Sequence, residues 1–265
     1  MNMIKSLLFT FSLLFLSLAG FNQILTKSLD GNQFTTDQFG NFYDISSREV
    51  KKYNKKGELL FTYSNNILGE ISSVDVINPL KVLIYFRDFT KILTLDDAMS
   101  VRGDVLNLND LNLEETSLVC RSYNNGVWFY NPIKYQLTRI ENRQVINVSS
   151  NLSNLLGENI QPNYLLEFNE KVYLSDIKSG ILVFDIYGTY LKTIPIYNVK
   201  AFQVKQKYIL YVNANQQIEI YNLFTLEKSI YQAEKYDDVK SVRIEGSNIY
   251  ILSKKNQLII DKIEL

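Results

Sequence analysis

From Gln33 onward the chain is a succession of short apolar or alternating runs, each closed by Gly, Asn, Asp, Ser or Pro. Such runs, bounded by turn residues, read as β-strands. One strand type recurs. It carries Tyr or Trp and leads into a polar residue: Phe42–Ile45 before Ser46, Val82–Tyr85 before Asp88, and Val127–Tyr130 before Asn131. Val172–Ser175 before Asp176, Ile209–Val212 before Asn213 and Ile249–Leu252 before Ser253 continue the series. A second polar column follows one strand later, at Asn54, Asp96, Glu141, Asp185, Asn222 and Asp261. Successive members of the first column are 37 to 45 residues apart, the spacing of four-stranded propeller blades. The polar columns have a physical cause, because Asp, Asn and Ser close turns by accepting nearby backbone N–H groups. The expected fold is therefore all-β, a β-propeller of six blades.

Each unit divides into strands A to D, from the axis outward. The first predicts A over Gln33–Phe39, B over Phe42–Ser46, C over Val50–Asn54 and D over Glu58–Ser64. The fourth predicts Tyr164–Phe168, Val172–Asp176, Ile181–Asp185 and Thr189–Ile196. The last unit supplies only three strands, Val239–Ile244, Asn248–Ser253 and Gln257–Leu265. A spare strand-like run, Gln23–Leu29, precedes the first unit. Pairing the spare strand with the incomplete blade closes the ring and removes an open edge.

The first nineteen residues follow another pattern. A start bearing Lys5, an apolar run over Ser6–Leu18 and the small-residue exit Ser17-Leu18-Ala19 form a secretory leader. The run is shorter than the ~20 residues of a membrane span. The chain thus divides into a leader over 1–19 and one propeller domain over 20–265, with no transmembrane span after cleavage. Cys120 is the only cysteine, so no disulfide forms within the chain. Lys+Arg and Asp+Glu both number 28, which argues against a nucleic-acid partner. Export without disulfides, in a Lys/Asn/Ile-rich chain, points to a bacterial envelope, in the periplasm or against the outer membrane.

Asp37-Gln38-Phe39-Gly40-Asn41-Phe42-Tyr43, Val50-Lys51-Lys52-Tyr53 and Gly57-Glu58-Leu59-Leu60 together resemble an NHL repeat, and the rhythm of the remaining units resembles NHL and YncE-like propellers. The first blade has Ser46 where that family commonly carries Asp. The resemblance implies a propeller and little about activity, since propellers host binding, scaffolding and several chemistries. The absence of His and the single Trp128 argue against WD-type repeats.

With no histidine in the chain, Ser-His-Asp and Cys-His catalysis and His-bearing zinc sites are excluded. No glycine-rich phosphate loop or alternating-acid calcium loop is present. No catalytic residue, cofactor or metal ligand is assigned, and the expectation is a chain that is not an enzyme. Three clusters are candidates for contact. Arg87, Asp88 and Phe89 lie at the B–C turn of blade two, where the charges either meet a partner or pair with each other. Trp128 and Tyr130 share a strand face, as core or as platform. The Ser149–Asn163 connection carries Leu152, Leu155 and Leu156 at helical spacing, with Ser150 or Asn151 to cap a short turn, either for contact or as a channel plug. The resulting reading is a protein-binding or assembly module whose partner is another envelope protein. The alternative is a metal-dependent lactonase- or lyase-like propeller, holding a cation with Asp, Glu and Asn at the channel mouth.

Overall fold

A computed structural model describes residues 25–232, 234–236 and 238–263. The leader read over 1–19 lies outside them. The strands are β1 (Leu25–Ser28), then blade one: β2 (Gln33–Thr36), β3 (Phe42–Ile45), β4 (Glu49–Tyr53) and β5 (Leu59–Ser64). Blade two has β6 (Ser73–Asp75), β7 (Val82–Phe86), β8 (Lys91–Leu95) and β9 (Leu106–Asn107). Blade three has β10 (Leu118–Arg121), β11 (Val127–Asn131), β12 (Gln136–Glu141) and β13 (Gln144–Val148), followed by the helix α1 (Leu152–Leu156). Blade four has β14 (Pro162–Phe168), β15 (Lys171–Asp176), β16 (Gly180–Asp185) and β17 (Tyr190–Ile194). Blade five has β18 (Phe202–Lys205), β19 (Tyr208–Val212), β20 (Ile218–Asn222) and β21 (Lys228–Ile230). Blade six has β22 (Val239–Glu245), β23 (Asn248–Ser253) and β24 (Gln257–Lys262). The six antiparallel four-stranded sheets make a six-bladed β-propeller. No helix among the described residues is long and apolar enough to cross a membrane.

The second strand of each blade is buried on both faces, which explains its continuous apolar character. Alternate residues of β7 go to opposite neighbours: Val82, Ile84 and Phe86 pack toward blade one, Leu83 and Tyr85 toward blade three. In β11, Val127 and Phe129 face blade two while Trp128 and Tyr130 face blade four. The core is accordingly divided into six clusters, each between two adjacent blades.

The polar columns close the turns. Asn131 Oδ1 accepts from the N–H groups of Ile133 and Lys134, and Asp176 Oδ1 from those of Lys178 and Ser179. Asn213 does the same for Asn215 and Gln217, while the Ser46 and Ser253 hydroxyls accept from Glu49 and Gln257. In the second column Asn54, Asp96, Asp185 and Asn222 each accept two turn N–H groups. Asp88 takes no turn N–H among the described residues, its turn being closed by the Thr90 N–H on the Arg87 carbonyl. Asp261 binds Lys235 and Tyr236 instead, and Glu141 also departs from the pattern. It binds Arg139, and its tight turn is made by Asn142 and Arg143, both at positive φ.

β1 joins the outer edge of β24 in antiparallel register, Leu25 opposite Ile260 and Ser28 opposite Gln257. Leu29 continues the contact by donating its N–H to the Asn256 carbonyl at 2.9 Å. Leu29 then packs with Phe34, Phe42, Tyr250, Leu252, Leu258 and Ile260 between blades six and one. The N-terminal strand thus completes the last blade. Gln23 and Ile24 at its start, and Glu264 and Leu265 at the far end, lie outside the described residues.

A chain beginning at Asp30 should melt at least about 10 °C below the full chain, since each kcal/mol shifts Tm by ~2–4 °C at this size. Thermal unfolding followed by near-ultraviolet circular dichroism checks this, and an unchanged Tm would refute the closure. The Asp176 turn yields a second expectation. Burial alone would raise its carboxyl, but N–H groups of Ser179, Gln161 and Lys178 outweigh burial and hold it below the usual carboxylate value of 3.8. Its stabilisation is therefore present above about pH 4 and lost as pH falls through the lowered pKa. Asp176→Asn should cost about 1–2 kcal/mol at pH 7 and flatten the acid limb of stability against pH. Urea titrations between pH 2 and 7 measure both.

Candidate functional site

Because strand direction alternates, the B–C turns and the blade-to-blade connections lie at one end of the ring and the A–B turns at the other. The first end carries the residues singled out in the sequence. Arg87 and Asp88 are both exposed and form no ion pair with each other among the described residues. The Arg87 guanidinium instead donates to the Ser117 carbonyl at 2.6 Å, on the connection into blade three. Phe89 is 50% exposed and lies over Gly69. A side chain at Gly69 would clash: its Cβ would fall 2.6 Å from the Phe89 ring, on a backbone at φ +81°. This contact holds the Phe89 ring beside the connection between blades one and two.

Asn151 caps α1 by accepting the Asn154 N–H at 2.8 Å, and Gly157 ends the helix at φ +72°. The two leucines assigned to contact separate here. Leu152 is 1% exposed and packs in the blade three–four core with Trp128 and Tyr130, so it offers nothing to a partner. Leu155 is exposed on the other side of the turn. The insertion therefore anchors between two blades and does not send Leu152 into the axial channel. Trp128 and Tyr130 are likewise core residues, both essentially inaccessible.

The structure adds neighbours that the sequence reading passed over. Ile133 and Ile177 occupy the B–C turns of blades three and four, and Ile67 and Tyr197 lie on connections between blades. All four are exposed, Ile67 by 83%. With Phe89 and Leu155 they form an apolar arc that runs from the blade one–two connection to the blade four–five connection. The remaining B–C turns are polar, carrying Ser47 and Arg48, Asn215 and Gln216, and Lys254 and Lys255. A signal for the arc was present. Phe89, Ile133 and Ile177 stand one or two places after the polar column, where blades one, five and six have Ser, Ala or Lys.

The A–B end is different in kind. Here buried charges link neighbouring blades. Glu167 of β14 accepts from the Ser122 hydroxyl at 2.5 Å, Trp128 Nε1 at 2.7 Å and the Tyr123 N–H at 2.9 Å. Arg139, fully buried, donates to Ser122 Oγ, the Tyr123 carbonyl and Glu141, and lies 3.9 Å from the centre of the Tyr123 ring. Between blades five, six and one, Glu245 accepts from Lys205, Gln203 and Thr36. Burial still pushes its carboxyl above the usual range, against the opposing pull of these donors. Asp75 accepts the N–H groups of Arg121 and Ile77, and burial raises its pKa too. Cys120, buried, is pushed well up by burial and is no nucleophile at neutral pH. No group of three His, Cys, Asp or Glu able to hold a metal ion occurs among the described residues. The acids Glu167, Glu245 and Asp75 are already engaged as hydrogen-bond acceptors.

No family model matches the chain, and no curated protein does. Solved structures do match. Virginiamycin B lyase from Staphylococcus aureus is 13% identical, with a TM-score of 0.58 over 87% of this chain and 80% of that one. The Neurospora crassa Pan2 WD40 domain is 8% identical, with a TM-score of 0.59 over 91% and 96%. A chain of the Mitotic Checkpoint Complex is 10% identical, with a TM-score of 0.62 over 99% and 100%. These likenesses show the fold, and the NHL and YncE-like resemblance holds to that level. They also correct one expectation. The chain was read as not an enzyme, yet proteins sharing its ring include a lyase, so a propeller without an evident catalytic motif does not exclude enzymatic activity. At 13% identity no activity is established either. By fold the chain stands with the lyase, the WD40 domain and the checkpoint-complex chain alike.

Proposed function

We propose that the chain is an exported binding module whose B–C face docks another protein of the bacterial cell envelope. The observation that carries this reading is the apolar arc over blades two to four on an otherwise polar face. Contiguous exposed apolar side chains on a rigid scaffold mark contact surfaces, and aromatic and Arg anchors concentrate interface energy. Phe89 and Tyr197 supply the aromatics, and Arg87, held by the Ser117 carbonyl, stands in the same turn as Phe89. The similarity to a chain of the Mitotic Checkpoint Complex supports the reading, since there a ring of this shape works within a protein assembly.

The lyase similarity favours a second reading, small-molecule chemistry on the same ring. A form of that lyase with one histidine replaced by alanine is catalytically inactive. This chain contains no histidine, so a related reaction would need another group in that histidine's place.

The docking reading is tested by Ile133→Asp and Phe89→Asp, each compared with Phe39→Asp at an exposed A–B turn. Crosslinking in the native envelope, with partners identified by mass spectrometry, should lose the same partner in both B–C variants and keep it in the third. An anchor of this kind is worth about 2 kcal/mol, or some thirtyfold in Kd. All variants must first melt with the parent. Recovery of identical partners from all of them would end the proposal. Export is checked separately by intact mass, which should correspond to a chain beginning near Gly20.

A further inference from the structure

At the A–B end, blades two and three enclose a cleft of about 160 Å3. Leu83, Ile92, Val127 and Ile140 form its apolar interior, with Leu106 as a half-buried wall. Asp104, Asn125, Asn142 and Arg143 stand exposed at its rim. One charge lies deep within. Arg121, at the end of β10, is 8% exposed and lines the cleft.

The Arg121 guanidinium is poorly matched by the protein. Its Nη2 donates to Thr94 Oγ1 at a long 3.3 Å, and its Nε has no hydrogen-bond partner. No ion pair among the described residues includes it. Asp75 is near enough to be felt, yet it accepts the Arg121 backbone N–H and not the guanidinium. A buried cation without a carboxylate is expensive, and native proteins rarely leave its donors idle. Arg139, two strands away in the same blade and fully buried, differs in having a charge partner: its Nη1 also lacks a hydrogen bond, but a carboxylate, a hydroxyl, a carbonyl and an aromatic ring surround the guanidinium.

We propose that this cleft binds a small carboxylate with an apolar body, its carboxylate on Arg121. The guanidinium presents a planar set of donors that a carboxylate meets with two oxygens. The volume sets the size, since a cavity of ~150 Å3 accepts benzene; the ligand has on the order of six to ten non-hydrogen atoms. The apolar interior asks for an aliphatic or aromatic body. At the rim Asp104 and Arg143 oppose each other and Glu141 is paired with Arg139, so the one unmatched charge is that of Arg121 and a single negative charge fits it.

Calorimetric titration of the full chain with benzoate and with benzamide tests this directly. The two differ in charge and scarcely in shape. Benzoate should bind with a Kd of about 1 mM, at least tenfold tighter than benzamide. Arg121→Met should abolish the preference, and Leu106→Trp should block both ligands while leaving Arg121 in place. Parallel titrations with leucine and 4-methylpentanoate identify the source, an amino acid if the former binds tighter and a free acid if the latter does. Equal binding of benzoate and benzamide to the parent chain would overturn the proposal, as would no heat from benzoate at 20 mM, roughly twenty times the expected Kd. So would a preference that survives Arg121→Met. If that variant fails to fold, the parent comparison and Leu106→Trp decide alone.

Discussion

Every blade of this protein must bury both faces of its sheet, and only a closed ring allows that. Six blades in a circle make six blade-to-blade interfaces, whereas the same six in an open row would make five and leave two apolar faces in water. The pairing of β1 with β24 is what secures the circle. Only the described first strand and the last three belong to blade six, so this blade cannot form until the two ends of the chain meet. The cluster around Phe34, Phe42, Tyr250 and Leu258 is the interface gained by that meeting. Closure also removes the edge that β24 would otherwise expose.

The same closeness between blades forces a solution for polar groups near the axis. Strand ends there carry Asp75, Arg121, Glu167, Gln203 and Glu245, all within reach of the next blade. Most of these are satisfied by donors from a neighbour, so that the polar network and the apolar clusters join the same pairs of blades. Glu167 is the clearest case, since it takes hydrogen bonds from three groups of blade three while belonging to blade four. Arg121 is the member whose side chain the protein leaves short of partners.

The two ends of the ring have thereby become unlike. At the A–B end, polar side chains turn inward and hold blades together, with the carboxylate cleft between two of them. At the B–C end the turns are closed locally, by their own Asp, Asn or Ser in five blades and by the Thr90 N–H on the Arg87 carbonyl in blade two, which frees the following residue to face outward. In blades two to four that residue is apolar, and the protein-docking proposal rests on it. The fold itself does not choose between binding and catalysis, since the same ring hosts both.

What the sequence by itself determined was everything governed by local chemistry. Strand positions, the six-fold repeat, the capping duty of Asn131, Asp176 and Asp185, and the helix cap at Asn151 all depend on residues within a few places of each other. Ring closure was legible too, because a blade short of one strand and a strand short of a blade can be counted. Side-chain direction across blades was not legible. Leu152 and Leu155 look alike in the sequence, yet one enters a core and the other faces outward, since only the helix's seat between two blades distinguishes them. The Arg87–Asp88 pair dissolved for the same reason: the Ser117 carbonyl that takes the guanidinium lies thirty residues away, brought near by the ring. Glu167 and Arg121 passed unmarked because a charge within a strand has no meaning until its neighbour blade is in place, and Arg139 because its partners are brought in by the folding of its own blade. The neighbour blade decides whether the charge is a link between blades or an unmet cation in a cleft, and it is set by tertiary packing, as between residues 27 apart for Arg121 and Thr94 or 45 apart for Ser122 and Glu167.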